Sequence, residues 1–187
     1  PHNFKLKGGK FKSDFGYHNN KHQHAWDFAD APLVYTNFLS AEGLNNIGLQ
    51  LQWLAPTPWY MMAGLELMQS GNGASFANDN FGDIEQNSAP ALSVAYLKNS
   101  IDIEETTFLL GLSLADGTMK SEDQNLNART SIYGADLLVK SYFNSYSYLS
   151  WQSELMLRDL RGEDASTFES ATNKTAGGYT QLLYAYD

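Results

Sequence analysis

The feature that most constrains this chain is a two-residue alternation of apolar and polar side chains. It recurs in segments whose connections are short and long in turn. In Gly48-Leu49-Gln50-Leu51-Gln52-Trp53-Leu54-Ala55, Leu49, Leu51 and Trp53 fall on one face and Gln50 and Gln52 on the other. Successive side chains of a strand point to opposite faces, so the segment reads as a two-faced β-strand. Pro56-Thr57-Pro58 separates it from a second such segment, Trp59 to Gln69, where Met61, Ala63, Leu65 and Leu67 alternate with Tyr60, Met62, Gly64 and Glu66. A soluble sandwich has the same period. The order of the connections separates the two. Strict alternation of short and long is how a membrane-spanning barrel is threaded, with short periplasmic turns and long external loops.

The pattern yields about eight strands. The first covers roughly 4–15, with Lys10, Lys12 and Asp14 on one face and Phe11, Ser13 and Phe15 on the other. Gly8-Gly9 marks a bulge where the register changes. A long connection over 16–46 holds a short helix at 32–39 with Pro32 in its first turn. A loop by composition fills 71–89. Strand four puts Leu92, Val94 and Tyr96 outward, and a turn near Lys98–Glu104 leads to strand five, with Phe108, Leu110, Leu112 and Leu114 outward. A polar loop, Asp116–Asn127, precedes strand six, where Tyr133, Ala135, Leu137 and Val139 oppose Gly134, Asp136, Leu138 and Lys140. After a tight turn at Asn144-Ser145, strand seven sets Leu149, Trp151, Leu155 and Leu157 against Gln152, Glu154, Met156 and Arg158. An acidic loop, Gly162–Lys174, leads into strand eight at about 177–187. The expected fold is all-β: an antiparallel up-and-down transmembrane β-barrel of about eight strands, a section of a larger barrel. It forms a single region over 1–187, with Leu49, Leu51, Trp53, Leu65, Leu110, Leu112, Val139 and Leu155 on its outer face.

Composition agrees with that class. The net charge of −9 disfavours nucleic acid as a partner. The absence of cysteine excludes disulfides and thiolate metal sites. Aromatic residues make up 13%, with 11 Tyr, which suits girdles at bilayer interfaces. No apolar run reaches the roughly 18–20 residues of a membrane helix. A mean hydropathy of −0.38 is compatible with a barrel whose strands face a polar interior on one side. The chain opens at Pro1 without a signal peptide and stops at Tyr184-Ala185-Tyr186-Asp187 inside a strand-like pattern, which reads as a section of a longer protein.

Gly9-Lys10-Phe11-Lys12-Ser13-Asp14-Phe15-Gly16, His22-Gln23-His24-Ala25-Trp26-Asp27-Phe28-Ala29-Asp30, Gly43-Leu44 and Trp53-Leu54-Ala55-Pro56-Thr57-Pro58-Trp59-Tyr60 carry a family resemblance. Together they resemble the porin-like proteobacterial outer-membrane proteins described as phosphate-selective-porin-like or as predicted zinc-regulated TonB-dependent receptors. The resemblance is sharpest over 8–67 and continues in Gly177-Gly178-Tyr179. It implies an outer-membrane channel and a barrel larger than this chain.

The expected function is passive diffusion of small ions or nutrients through the bacterial outer membrane. The runner-up is a gated, TonB-dependent receptor for metal or metal chelate, and a third reading is a structural or adhesive barrel. Expected partners are outer-membrane lipid and lipopolysaccharide, small solutes or ions, and a possible homo-oligomer. Lys10, Lys12, Asp14, Glu66, Asp136, Lys140, Glu154 and Arg158 occupy the polar face, and charges lining a pore set ion preference. The long connection is expected to be ordered and to narrow the mouth, anchored by Trp26 and Phe28, with Asp27 and Asp30 beside the path. His18, His22 and His24 could hold Zn²⁺ or another divalent ion, but they match no standard zinc spacing, and hydrogen bonding within the loop is the plainer reading. No resident cofactor is expected. The oxygen-rich loops Asn78–Glu85, Ser121–Asn127 and Gly162–Glu169 lack a full Ca²⁺-loop spacing and read as solvated. An enzyme is not expected: all four histidines lie in the first 24 residues, and no nucleophile, phosphate or dinucleotide motif accompanies them.

Overall fold

The computed structural model describes residues 3–69, 75–76, 91–121, 126–164 and 170–186. It is all-β. Eight antiparallel strands pair in chain order into one sheet: β1 (Phe4–Lys12), β2 (Asn45–Leu54), β3 (Tyr60–Met68), β4 (Leu92–Ile103), β5 (Thr106–Ser121), β6 (Leu126–Tyr142), β7 (Tyr148–Asp164) and β8 (Ser170–Ala185). The sheet is open, with β1 and β8 as its edges. A 3-10 turn at Gln23–Ala25 and one helix, α1 (Leu33–Phe38), lie in the β1–β2 connection. The helix falls within the expected 32–39.

Connections run long, short, long, short as far as β5, but between β5 and β8 each spans only four or five residues, because two supposed loops are largely strand. β5 and β6 run through most of Asp116–Asn127, and β7 and β8 through most of Gly162–Lys174. Polar composition misled there, because strands that outgrow the packed part of a sheet become polar without ceasing to pair. β5 to β8 have 16 or 17 residues, whereas β1 to β3 have 9 or 10. The turn near Lys98–Glu104 is tighter than expected, at Glu104-Glu105, with Glu104 at φ 52°. Most of 71–89, including Asn78–Glu85, lies outside the described residues.

β1 is shorter than the expected 4–15. It pairs with β2 in one continuous register from Phe4↔Trp53 to Lys12↔Asn45, without the anticipated shift at Gly8-Gly9. Gly9 takes φ 125°, so the glycine serves a backbone angle rather than an inserted residue.

The two faces of the sheet differ. One is bare and apolar: Leu49, Leu51, Trp53, Leu65, Leu110, Leu112 and Leu155 are exposed there, Leu65 at 61%, and Val139 shares the face. Among the described residues no second sheet packs against it. The other face is covered by the β1–β2 connection. Phe15, Tyr35, Phe38, Leu39 and Leu44 of that loop form the core with Leu92, Val94, Tyr96, Ile132 and Met156 of the strands. Leu92, Val94 and Tyr96 were expected to point outward. They face the loop instead, and Ser93, Ala95 and Leu97 take the bare face. Lys98 two residues on was the available signal, because the expected parity would have set a cation among the leucines.

Glycines let the loop come close. Gly64, Gly134 and Gly177 belong to one cross-strand row, Gly64↔Tyr96↔Ser113↔Gly134↔Met156↔Gly177. A Cβ on Gly134 or Gly177 would meet Phe15 or Val34 of the loop, each at 2.8 Å, and one on Gly64 would meet the Tyr96 ring of β4 at 2.1 Å. The loop is thus seated in a trough that side chains would fill. Gly134→Val is expected to displace the Phe15 ring and weaken docking by about 1–3 kcal/mol. Limited proteolysis within 16–44 should accelerate while the far-ultraviolet dichroism of the sheet stays unchanged; equal cleavage rates would refute the trough.

Candidate functional site

The site is the interface between the loop over 13–44 and the covered face of the sheet. Backbone without regular partners must find hydrogen bonds elsewhere when it is buried. Here strand side chains supply them. Glu66 of β3 accepts from the Asp14 amide at 3.0 Å. Ser113 of β5 accepts from the Gly16 amide at 3.0 Å. Lys98 of β4 donates to the Gly16 carbonyl at 2.9 Å. Glu154 of β7 accepts from the Tyr17 and His18 amides, each at 3.0 Å. Four strands therefore hold four of the five loop residues from Asp14 to His18, and the Phe15 amide donates to Ser13 Oγ within the loop at 3.1 Å.

Glu154 is the centre of this network. It is 4% exposed. Its Oε2 also accepts from the Tyr35 hydroxyl at 2.5 Å, and its Oε1 from the Tyr179 hydroxyl and from Gln152. Gly16 makes the approach possible: it sits at φ 63°, and a Cβ there would lie 2.5 Å from Glu154 Oε2. Burial and the neighbouring Glu154 carboxylate push the Tyr35 hydroxyl well above its usual pKa, so it stays a donor.

Asp14 forms a second centre. Its Oδ2 accepts from Gln50 at 2.8 Å, Gln52 at 2.9 Å and the Tyr96 hydroxyl at 3.2 Å, and its Oδ1 from Asn20 at 2.7 Å. Gln50 Nε2 also reaches Glu66 at 2.7 Å. Asp136 is different. It is buried above Gly111, where a Cβ would lie 2.1 Å from its Oδ2, and neither carboxylate oxygen has a partner among the described residues.

The eight polar residues expected along a pore are thus dispersed. Asp14, at the start of the loop, and Glu66, Asp136 and Glu154 of the strands are all buried. Arg158 lies over the Phe38 ring and donates to Thr175 and Ser75. Lys140 lies over the Tyr142 and Tyr148 rings at the end of the sheet with the short turns. Lys12 reaches the Lys21 carbonyl at the root of the loop. Lys10 pairs with Ile47 and is exposed on the bare-face side, because Asp14 lies past the end of β1 and its parity does not extend back to Lys10.

The loop is ordered over the sheet, but Trp26 and Phe28 do not anchor it. Trp26 is half-buried against His18, with its indole N–H on the Lys21 carbonyl at 3.3 Å, and Phe28 is 46% exposed. Tyr35, Phe38, Leu39 and Phe15 take that role, since α1 presents one apolar stripe to β8 and to the row of glycines. Asp27 pairs with Lys21 at 3.9 Å, and Asp30 is exposed.

The three histidines separate as well. His18 is buried among Trp26, Tyr35 and Tyr179. His22 and His24 are exposed and stack on each other at 5.7 Å. Among the described residues no three His, Asp or Glu side chains converge as a metal site would require. The sequence reading missed Gln50, Gln52, Lys98, Ser113, Tyr179 and Tyr35. The glycines in strands, which mark close approach, were the signal for where the loop lands.

The chain matches no protein-family model, and no solved structure matches it. It is 37% identical over 201 residues to an uncharacterized protein of Aquifex aeolicus (strain VF5), a match that takes in all of this chain and 43% of the relative. The chain therefore spans less than half the length of that relative.

Two outcomes follow from the geometry. Glu154→Ala leaves two loop amides and two hydroxyls without their acceptor and should weaken loop docking by about 3–5 kcal/mol. Hydrogen exchange at Tyr17 and His18 should rise far more than exchange in β5 and β6, and uniform protection would refute the anchor. The second outcome concerns pH. Burial, with Lys21 and Lys12 nearby, depresses the His18 imidazole from 6.5 to about 4. The undocked loop therefore binds the proton more tightly. Docking should be unaffected by this group above about pH 6.5, weaken as pH falls from there to about 4, and level off below. His18→Gln should remove that component, seen as the difference between the two exchange–pH curves.

Proposed function

We propose that this chain is a section of a transmembrane β-barrel of the bacterial outer membrane. In this reading it forms a channel for passive diffusion of small ions or nutrients, and the loop over 13–44 narrows the bore. The observation that carries the reading is the bare face. Phe108, Leu110, Leu112 and Leu114 of β5 stand beside Tyr133, Ala135, Leu137 and Val139 of β6, and these beside Leu155 and Leu157 of β7. That run is seven residues of strand, or roughly 23 Å. Soluble proteins rarely expose contiguous apolar surface beyond a few hundred Å². Lipid would cover it.

The edges of the band suit a bilayer. At the end with the short turns stand Trp53, Trp59, Tyr60, Phe143, Tyr146, Trp151, Tyr184 and Tyr186, all exposed aromatics. They fit an interfacial girdle, and in this reading the short turns beside them lie on the periplasmic side. The opposite end carries the long connections and faces outward. No charge interrupts β5 to β7 between Phe108 and Leu114 or their bare-face partners, where a basic group would cost about 2–4 kcal/mol near the midplane. The unpaired edges of β1 and β8 cannot face hydrocarbon, so further strands complete the circumference. A loop held by side chains of four strands favours a fixed constriction over a gated receptor.

These 187 residues hold no cysteine, so labelling is read as the difference between each single-cysteine variant and the unsubstituted protein. In the full-length protein in vesicles, Leu112→Cys should resist a water-soluble maleimide, and Asn144→Cys should react. In planar bilayers the full-length protein should give discrete conductance steps, larger or noisier in Glu154→Ala. Rapid labelling of Leu112→Cys would end the membrane reading, and silent bilayers would end the channel reading.

A further inference from the structure

Past Tyr133 the bare face ceases to be apolar. The next bare-face positions of β6 are Ser131 and Arg129, which stand beside Asp116 and Thr118 of β5 and beside Asp159 and Arg161 of β7. Lys174 of β8 stands opposite Asp159. Arg129 donates to Asp116 through Nη2 at 2.6 Å and Nε at 2.9 Å, and Ser131 donates to the same carboxylate at 2.6 Å. Arg161 donates to Asp159 through Nη2 at 2.6 Å and Nε at 3.2 Å. Both guanidinium side chains remain open to their surroundings, at 73% and 71% exposure.

Two features of this patch ask for a ligand. Exposed ion pairs contribute little to stability, so the carboxylates serve chiefly to orient the forks. Arg129 and Arg161 are direct cross-strand neighbours, a like-charge juxtaposition that a single anion shared by both forks would relieve beyond what their own carboxylates do. Among the described side chains of this patch, three basic groups stand against two acidic ones. Planar guanidinium groups match phosphate oxygens. Immediately below, on the same face, lie exposed Leu114, Tyr133 and Leu157.

We propose that Arg129, Arg161 and Lys174 seat the phosphorylated headgroup of an outer-leaflet glycolipid, lipopolysaccharide, with its acyl chains over Leu114, Tyr133 and Leu157. This rests on the membrane reading above and assigns the external rim of the apolar band to one lipid class. It also gives these exposed strand ends a role beyond pairing.

The test uses the full-length protein in detergent and native mass spectrometry. Three probes are compared: lipopolysaccharide, the same glycolipid with its phosphates removed, and inorganic phosphate as competitor. The wild type should retain lipopolysaccharide, and Arg129→Gln with Arg161→Gln should bind it about tenfold more weakly or worse. The dephosphorylated glycolipid should bind the wild type as weakly as the variant binds lipopolysaccharide. Millimolar phosphate should not displace the lipid. Equal affinity for the two glycolipids, unchanged binding in the variant, or displacement by phosphate each overturns the proposal. If the double variant does not fold, Lys174→Gln carries the test with a loss of about threefold, and unchanged affinity there overturns it. Failure to insert into vesicles would sink the membrane reading too; insertion with unaltered lipid binding sinks this proposal alone.

Discussion

Everything on the covered face depends on one requirement: a buried irregular backbone must have its amides and carbonyls paired. The loop over 13–44 lies against the sheet with little secondary structure of its own. At Asp14, Gly16, Tyr17 and His18 its partners are strand side chains, with Glu154 taking the largest share. The polarity of this face follows from that demand. Gln50, Gln52, Glu66, Lys98 and Ser113 serve the loop, not open solvent. The same demand fixes the glycines, since the hydrogen bonds form only if the loop approaches the sheet closely.

The two faces solve opposite problems with one period. Leu49, Leu51 and Leu65 on one side, and Gln50, Gln52 and Glu66 on the other, alternate without a fault across β2 and β3. On the bare side, leucine and aromatic surface stands exposed, and the sheet offers no partner of its own to remove it from water. On the covered side, a small apolar core from α1 and Phe15 shares the surface with a network of carboxylates and amides.

Alternation made the strand number, their up-and-down order and most of the bare face legible before any coordinates. It failed where the assumption behind it failed. Leu92, Val94 and Tyr96 are apolar because α1 and the loop cover them, and a rule equating apolar with outward reversed that strand. Lys10 was misplaced because Asp14, past the end of β1, was counted as part of its alternation. The anchors were misjudged because Trp26 is the more conspicuous residue, whereas Tyr35 and Phe38 gain their role from the one-turn spacing of α1. Loop ends were misjudged because β5 to β8 pair well beyond their apolar portion. None of these errors is visible in a single strand. Each arises from what a distant segment brings to it.

That distance carries a consequence for how the molecule is made. The amides of Tyr17 and His18 wait on a carboxylate 137 and 136 residues later in the chain, and the Tyr35 hydroxyl on the same group 119 residues later. Loop closure over such separations comes late, after nearer pairings have formed. The connection that leaves the first strand is therefore among the last parts to settle. Until β7 takes its place, the loop backbone from Asp14 to His18 keeps only the strand partners that β3, β4 and β5 offer, so a fully docked loop certifies that the strands up to β7 are in order.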